Sequence, residues 1–430
     1  MKLLIEKVVY GGDGLARLSD GSVFVPFTLP GETVEAREVS TGGGRREAEL
    51  VQVLQPSSAR VAPECAHFGV CGGCQYQHAT YDEQLAMKRA ILSESLERAG
   101  LSELPAIVTH TAEPWGYRNR IRLRLAEVDG VLRVGYLRRG SSEFLPVQMC
   151  PIASPLLWRA AQALLTLLSE DAQWLRSALE VEFFTNAGET KLQMLLFVER
   201  EPAKGFERFS ERLRERVPEL VGAGVSVIAS AGRNRKTQRM RPGTAWGADG
   251  MGCDAAGESY WVSRGAFFQV NRFLIDELVR LVTGGRGGSV AWDLFAGVGL
   301  FSRVLAKQFA RVVAVEAAAD DLARSFKSEG RVAVNATTVE FLRRAVLERE
   351  RPELVVMDPP RAGVGAEVCA LLARVCAPEM VYVSCDPVTL GRDLKAMVDS
   401  GYTLAELHMV DLFPQTFHQE TVAVLRRETA

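Results

Sequence analysis

The sequence contains no run approaching ~20 uninterrupted apolar residues, the length a membrane-spanning helix requires, so no membrane association is expected. The opening MKLLIEKVVYGGDG meets an acid at Glu6 and does not read as a secretory leader, so none is expected. Net charge is nearly absent, at −2 over 430 residues, which argues against a polycation that coats nucleic acid indiscriminately. No internal repeat or low-complexity tract occurs. What remains is ordinary globular composition, 47% hydrophobic and 24% charged, enough for two or three domains. A soluble cytoplasmic monomer is expected.

Charge is concentrated locally. YRNRIRLRL places Arg118, Arg120, Arg122 and Arg124 at alternate positions, so a strand would present all four on one face. A second basic run, RNRKTQRMR, spans 233–241. Such rows suit either a solvated sheet face or a phosphate-binding surface, and Arg120 and Arg122 are candidate RNA contacts.

The chain divides into three parts. Residues 1–56 hold short strand-like runs punctuated by Gly, Asp-Gly and Pro, the pattern of a small barrel of OB type. Residues 57–263 open with a cysteine-rich loop. A helix follows, from a Thr80-Tyr-Asp-Glu83 capping box to Gly100, which could pack on the catalytic domain. The remainder of that part mixes strands with one long helical stretch around 154–179. Residues 264–430 alternate short apolar runs (SVAWDLF, ARVVAVE, RVAV, ELVVMDPP, MVYVSCDP) with helical segments, which signals an α/β doubly wound sheet. Two further strands close the chain, expected as a hairpin across the sheet edge.

Ligands of such sheets bind beyond the carboxyl ends of the strands. After the first strand, DLFAGVGLFS supplies Gly297 and Gly299 for a tight turn, and Glu316 ends the second strand where an acid can meet a ribose. A nicotinamide site would want a third small residue in G-x-G-x-x-G. Asp293 and Phe295 around the glycines better suit S-adenosylmethionine. The fourth strand exits at Asp358-Pro-Pro-Arg361, where Arg361 replaces the aromatic used in amine methylation. The fifth delivers Cys385 to the same rim, ahead of a helix whose N-terminus would lower a thiol pKa.

A cysteine there answers a chemical demand. C5 of uracil is too poor a nucleophile to take a methyl group directly. Thiolate addition at C6 makes C5 nucleophilic, and a base must later remove the C5 proton. Glu420 in LFPQTFHQE is the candidate base, with His418 the alternative. The bland reading of Cys385 is a packing thiol at a strand end.

Three of the eight cysteines, Cys65, Cys71 and Cys74, form C-x5-C-x2-C, and Cys150 before Pro151 is the candidate fourth ligand. The set suits an iron–sulfur cluster, and four-cysteine zinc stays open on spacing alone. Cys253, Cys369 and Cys376 read as packing cysteines.

Taken in order, C-x5-C-G-G-C-Q, F-F-Q-V-N, D-L-F-x-G-x-G, D-P-P-R-A-G, S-C-D-P-x-T-L and F-P-x-T-x-H-x-E resemble the RNA (uracil-5-)-methyltransferases of the RumA/TrmA superfamily nearly end to end. The resemblance is strongest to the bacterial 23S ribosomal RNA branch. It implies an N-terminal TRAM barrel, a central α+β iron–sulfur domain with a 4Fe-4S cluster, and a C-terminal class I, Rossmann-like methyltransferase sheet. It implies Cys385 as nucleophile and Glu420 as base. Gln269, Phe295 and Glu316 would surround S-adenosylmethionine, Asp358 would stand between cofactor and uracil, and Phe267 would lie beside the base. Two places depart from the family pattern: Leu300-Phe301 is apolar, and the 331–340 segment ends in Asn335, Thr337 and Thr338 rather than an acid. A transfer RNA uridine enzyme, an RNA methyltransferase acting on another atom with Cys385 structural, and a non-catalytic RNA-binding module are the rival expectations.

Overall fold

The structure is a computed structural model and describes residues 1–40, 45–170, 177–201, 205–228, 240–326 and 328–427. Most of the basic run 233–241 lies outside the described residues.

The first six strands are β1 Lys2–Leu4, β2 Lys7–Val8, β3 Asp13–Leu18, β4 Gly21–Pro26, β5 Thr33–Ser40 and β6 Arg46–Gln55. They curl into one sheet of order β1-β5-β6-β4-β3-β2 around Ile5, Val23, Val25 and Val34. Helix α1, Tyr81–Arg98, follows the cysteine loop, and β7, Ile107–His110, follows α1. The helix begins at Thr80 as expected, but the Thr80 side chain makes no capping bond. The anticipated capping box is therefore not formed. Gly100 adopts φ 91° just past the helix end, where a side chain would be strained.

A seven-stranded sheet is built from β8 Arg120–Val128, β9 Val131–Leu137, β10 Phe144–Pro146, β11 Ala178–Thr185, β12 Leu192–Val198, β13 Leu220–Ile228 and β14 Met240–Gly247, in the order β10-β9-β8-β11-β12-β13-β14. Helices α2 Pro155–Glu170 and α3 Phe206–Arg216 cover its apolar face. A two-stranded ribbon, β15 Gly250–Ala255 and β16 Glu258–Ser263, leads into the last part, and its Met251, Tyr260 and Val262 join the core of the following sheet.

That sheet contains β17 Gly288–Leu294, β18 Phe309–Glu316, β19 Arg331–Asn335, β20 Leu354–Met357, β21 Glu379–Ser384, β22 Tyr402–Val410 and β23 Glu420–Arg427. Helices α4 Ile275–Thr283, α5 Ser302–Leu305, α6 Asp320–Ser325, α7 Thr338–Glu348, α8 Gly365–Val375 and α9 Pro387–Asp399 alternate with the strands. With β7 the order is β19-β18-β17-β20-β21-β23-β22-β7. The strands run parallel except β23, which is antiparallel to both neighbours. This is the expected doubly wound α/β sheet, apolar on both faces because helices cover each side. The terminal hairpin does not simply close the edge: β23 inserts between β21 and β22, and β7 forms the outer strand. Among the described residues, no helix is long and apolar enough to cross a membrane.

Candidate active site

The inserted antiparallel strand creates the site. Parallel strands deliver their last residues to one rim, whereas an antiparallel strand delivers its first. Ser384 at the end of β21 pairs with Thr421 of β23, so the next residues outward, Cys385 and Glu420, stand opposite one another at that rim. On the other side of β21, Met357 pairs with Tyr382, and β20 hands the chain to Asp358. β17 is the next strand over, with Leu294 paired to Met357, and it ends at the glycine turn.

That turn is tightly specified. Gly297 and Gly299 have φ 56° and 86°, and Phe295 holds φ 63°, an uncommon conformation for a bulky residue. A Cβ on Gly299 would meet Leu322 Cδ1 at 2.9 Å. Glu316 braces the loop: Oε2 accepts the Gly297 N–H at 2.9 Å and Oε1 accepts the Ala318 N–H at 3.0 Å. Thr337, considered above for an adenosine contact, instead caps α7 in a reciprocal box with Glu340. Gln269 is buried on the segment before α4, and its carbonyl accepts from Asn119 Nδ2 at 2.9 Å. Phe267, two residues earlier, is 71% exposed, a free aromatic face.

Burial of several acids in one cleft governs its electrostatics. Asp293 and Asp358 are each pushed up to about 7, by burial first and then by a neighbouring carboxylate in each case. Glu420 is raised by burial and by Asp358, and Arg361 opposes the rise. Burial also pushes the Cys385 thiol up to about 12; Glu420 adds to this and Arg361 offsets part of it. The net direction is thus opposite to the lowering expected from the helix N-terminus. Asp386 caps α9, its Oδ1 accepting the Val388 and Thr389 N–H groups at 3.0 Å, and so brings a negative charge beside the sulfur. His418 falls to about 4, by burial and by Arg361, whose Nη2 lies 3.4 Å from its Nε2.

Arg361 was read in the sequence only as a departure from an aromatic, yet it is the cation facing both Cys385 and Glu420. The Thr389 hydroxyl bonds the Arg361 carbonyl at 2.9 Å, tying the Asp-Pro-Pro-Arg loop to α9.

The arginine row requires a correction. Arg120, Arg122 and Arg124 do share a face of β8, but β11 beside it carries Glu180 and Glu182 on the same face. Arg120 bonds Glu182 at 3.1 Å and stacks over Phe184, and Arg122 bonds Glu180 and lies 3.5 Å over the Phe197 ring. Three arginines thus share two glutamates on this face, and Arg120 and Arg122 are each engaged within the sheet.

Cys65, Cys71, Cys74 and Cys150 all line one cavity of about 320 Å³. Among the described residues, no three His, Cys, Asp or Glu side chains are drawn together tightly enough to hold a metal ion. Arg118 also lines the cavity, and its buried Nε has no hydrogen-bond partner. No cysteine is in a disulfide; Cys253 and Cys369 are core residues, as expected.

The sheet with its glycine turn is that of a class I methyltransferase. The model of the tRNA (Uracil-5-)-methyltransferase family matches residues 80–351 and 331–428, and the chain belongs to that family. It is thus an RNA (uracil-5-)-methyltransferase. An RNA methyltransferase of Aquifex aeolicus is 33% identical over 99% of this chain and 98% of its own. A 23S rRNA (uracil(1939)-C(5))-methyltransferase of an Azoarcus species is 30% identical over 99% of both chains. The fold matches the Pyrococcus abyssi tRNA (uracil-54, C5)-methyltransferase, crystallised with S-adenosyl-L-homocysteine, at TM-score 0.75 and 23% identity over 99% of this chain and 100% of that one. A transfer RNA enzyme therefore shares the fold from end to end. The fold by itself does not distinguish the two.

Proposed function

We propose that the protein methylates C5 of a specific uridine in 23S ribosomal RNA, with S-adenosylmethionine as methyl donor, through a covalent adduct between Cys385 and C6. The observation that carries the reading is the strand register that sets Cys385 opposite Glu420, beside Asp358 and Arg361. Gln269, Phe295, the Gly297–Gly299 turn and Glu316 form the donor's cradle, and the exposed Phe267 stacks on the base. The donor supplies an electrophilic methyl group on a sulfonium, whose positive charge beside Asp358 favours the ionised forms of the cleft acids.

The chain's own groups do the rest. Arg361 favours the Cys385 thiolate, which attacks C6; the C5–C6 π pair moves toward O4 and C5 becomes nucleophilic. Once C5 has taken the methyl group and the donor has departed as a neutral thioether, Glu420 accepts the C5 proton, the double bond re-forms and the C6–S bond breaks. Glu420 fits the role because burial raises its basicity, whereas His418 is held too acidic to compete.

The working division is 1–56, 57–263 and 264–430, with the first two parts binding RNA. Cys65, Cys71, Cys74 and Cys150 would hold a 4Fe-4S cluster. The all-thiol donor set gathered around one cavity and the unpartnered Nε of Arg118 in its wall support this assignment. Its chemistry there is structural, fixing the loop around Cys74.

Incubation with an RNA containing 5-fluorouridine tests the mechanism, since fluorine at C5 cannot leave as a proton. A stable protein–RNA adduct is expected with the wild type and none with Cys385→Ala, with RNA binding retained; an adduct in the variant contradicts the assignment. Mapping 5-methyluridine in a strain lacking the gene tests the target. Loss from 23S RNA is expected, and loss from transfer RNA alone would favour the reading suggested by the Pyrococcus fold.

A further inference from the structure

Tyr10 belongs to the turn between β2 and β3, in the N-terminal barrel, yet its side chain ends in the catalytic cleft. Its hydroxyl donates to Asp386 Oδ2 at 3.1 Å, and its ring meets Phe417 edge-on with centroids 5.4 Å apart. Asp386 directly follows Cys385. Its other oxygen is already engaged by the first turn of α9. The carboxylate is thus held from two sides, by its own helix and by a separate part of the chain. The turn itself needs no hydroxyl at position 10, because backbone bonds from Val9 N–H to Asp13 and from Gly12 N–H to Val9 close it. The barrel is anchored nearby: Lys7 pairs with Glu94 of α1, and Val8 and Leu29 pack with Tyr76, Met87 and Ile91.

We propose that Tyr10 is a positioning residue of the methyl-transfer site, delivered by the barrel to hold the Asp386 carboxylate against its helix and to offset part of its charge beside the Cys385 sulfur. The inference rests on the reading of Cys385 as the nucleophile. The charged groups facing that sulfur are Glu420 from β23, Asp358 and Arg361 from the loop after β20, and Asp386 from its own segment. Three acids stand against one cation, so each donor that occupies a carboxylate favours the thiolate. Burial and Asp386 push the Tyr10 phenol up, so it remains a donor throughout the working range. On this account, docking of the barrel is a condition for a competent thiol as well as a means of gripping RNA.

The test is Tyr10→Phe, which keeps the ring on Phe417 and deletes the hydroxyl. The rate of adduct formation with saturating 5-fluorouridine RNA is measured as a function of pH in the full chain. The expected result is adduct formation roughly tenfold slower than wild type at each pH below the thiol's titration, with alkylation of Cys385 by iodoacetamide in the free protein slowed by the same factor. Melting temperature should be unchanged. A wild-type profile overturns the proposal, as does slower adduct formation with Cys385 alkylation unchanged or a change confined to RNA affinity, each of which marks a structural or binding role. If the wild type itself forms no adduct, the covalent reading fails, an outcome distinct from failure of the Tyr10 assignment alone.

Discussion

At the scale of single residues, the catalytic rim concentrates carboxylates where water is scarce. Asp293 is the extreme case: it is fully buried, with Ser302 bonded to Oδ2 and Oδ1 without any partner. Its pKa of about 7 lies above the ordinary aspartate value, so its contribution to stability is fully present below about pH 4 and is lost as pH rises through about 7. Asp293→Asn supplies a neutral donor at Oδ1 and removes that dependence. The variant is expected to gain stability relative to wild type by about 3 kcal/mol as pH rises from 5 to 8, read by denaturant unfolding. An unchanged difference across that range would place the ionisation elsewhere. The residue roles were unevenly legible in the sequence. Cys385 stood out because uracil chemistry demands a thiolate at a strand mouth, and Glu420 only as the base such a thiolate would need. Arg361 was visible but without a role, since only the folded loop turns it toward both groups. Tyr10 gave no signal, lying in a turn more than 370 residues from the aspartate it bonds.

At the scale of elements, the strands and helices of residues 264–430 could be read from apolar periodicity, but their order could not. Antiparallel insertion of β23 depends on pairing across the sheet, and periodicity carries no register. The arginine row failed for the same reason. Alternation correctly placed the side chains on one face, and only the neighbouring strand revealed the glutamates opposite them. The loop before β23 is held by partners equally remote in sequence. Lys88 of α1 forms a fully buried ion pair with Asp411, Tyr81 donates to the same carboxylate at 2.9 Å, and Gln84 exchanges two hydrogen bonds with Gln415. The N–H groups of Gln75 and Tyr76, immediately after Cys74, both donate to the Gln415 carbonyl at 3.0 Å. The cysteine loop therefore clamps the segment that leads to Glu420. Cys74→Ser is expected to lower bound iron and acid-labile sulfide and to reduce the melting temperature, together with adduct formation. Full iron content in that variant would remove Cys74 from the ligand set.

At the scale of the whole molecule, the site is assembled from distant segments: the barrel through Tyr10, the cysteine loop and α1 through Gln415 and Asp411, and the doubly wound sheet through Cys385, Asp358 and Glu420. The central claim is a sequence of covalent steps in which the two residues set opposite each other by the β21–β23 register act at different moments. Glu420→Gln separates those moments, because an amide cannot take the C5 proton but leaves the attack of Cys385 and the methyl transfer intact. The decisive measurement is the intact mass of this variant after reaction with substrate RNA and S-adenosylmethionine. The account predicts a covalent protein–RNA complex heavier by one methyl group, absent when Cys385 is also replaced. Free methylated RNA released at the wild-type rate, or no complex at all with RNA bound, would contradict it.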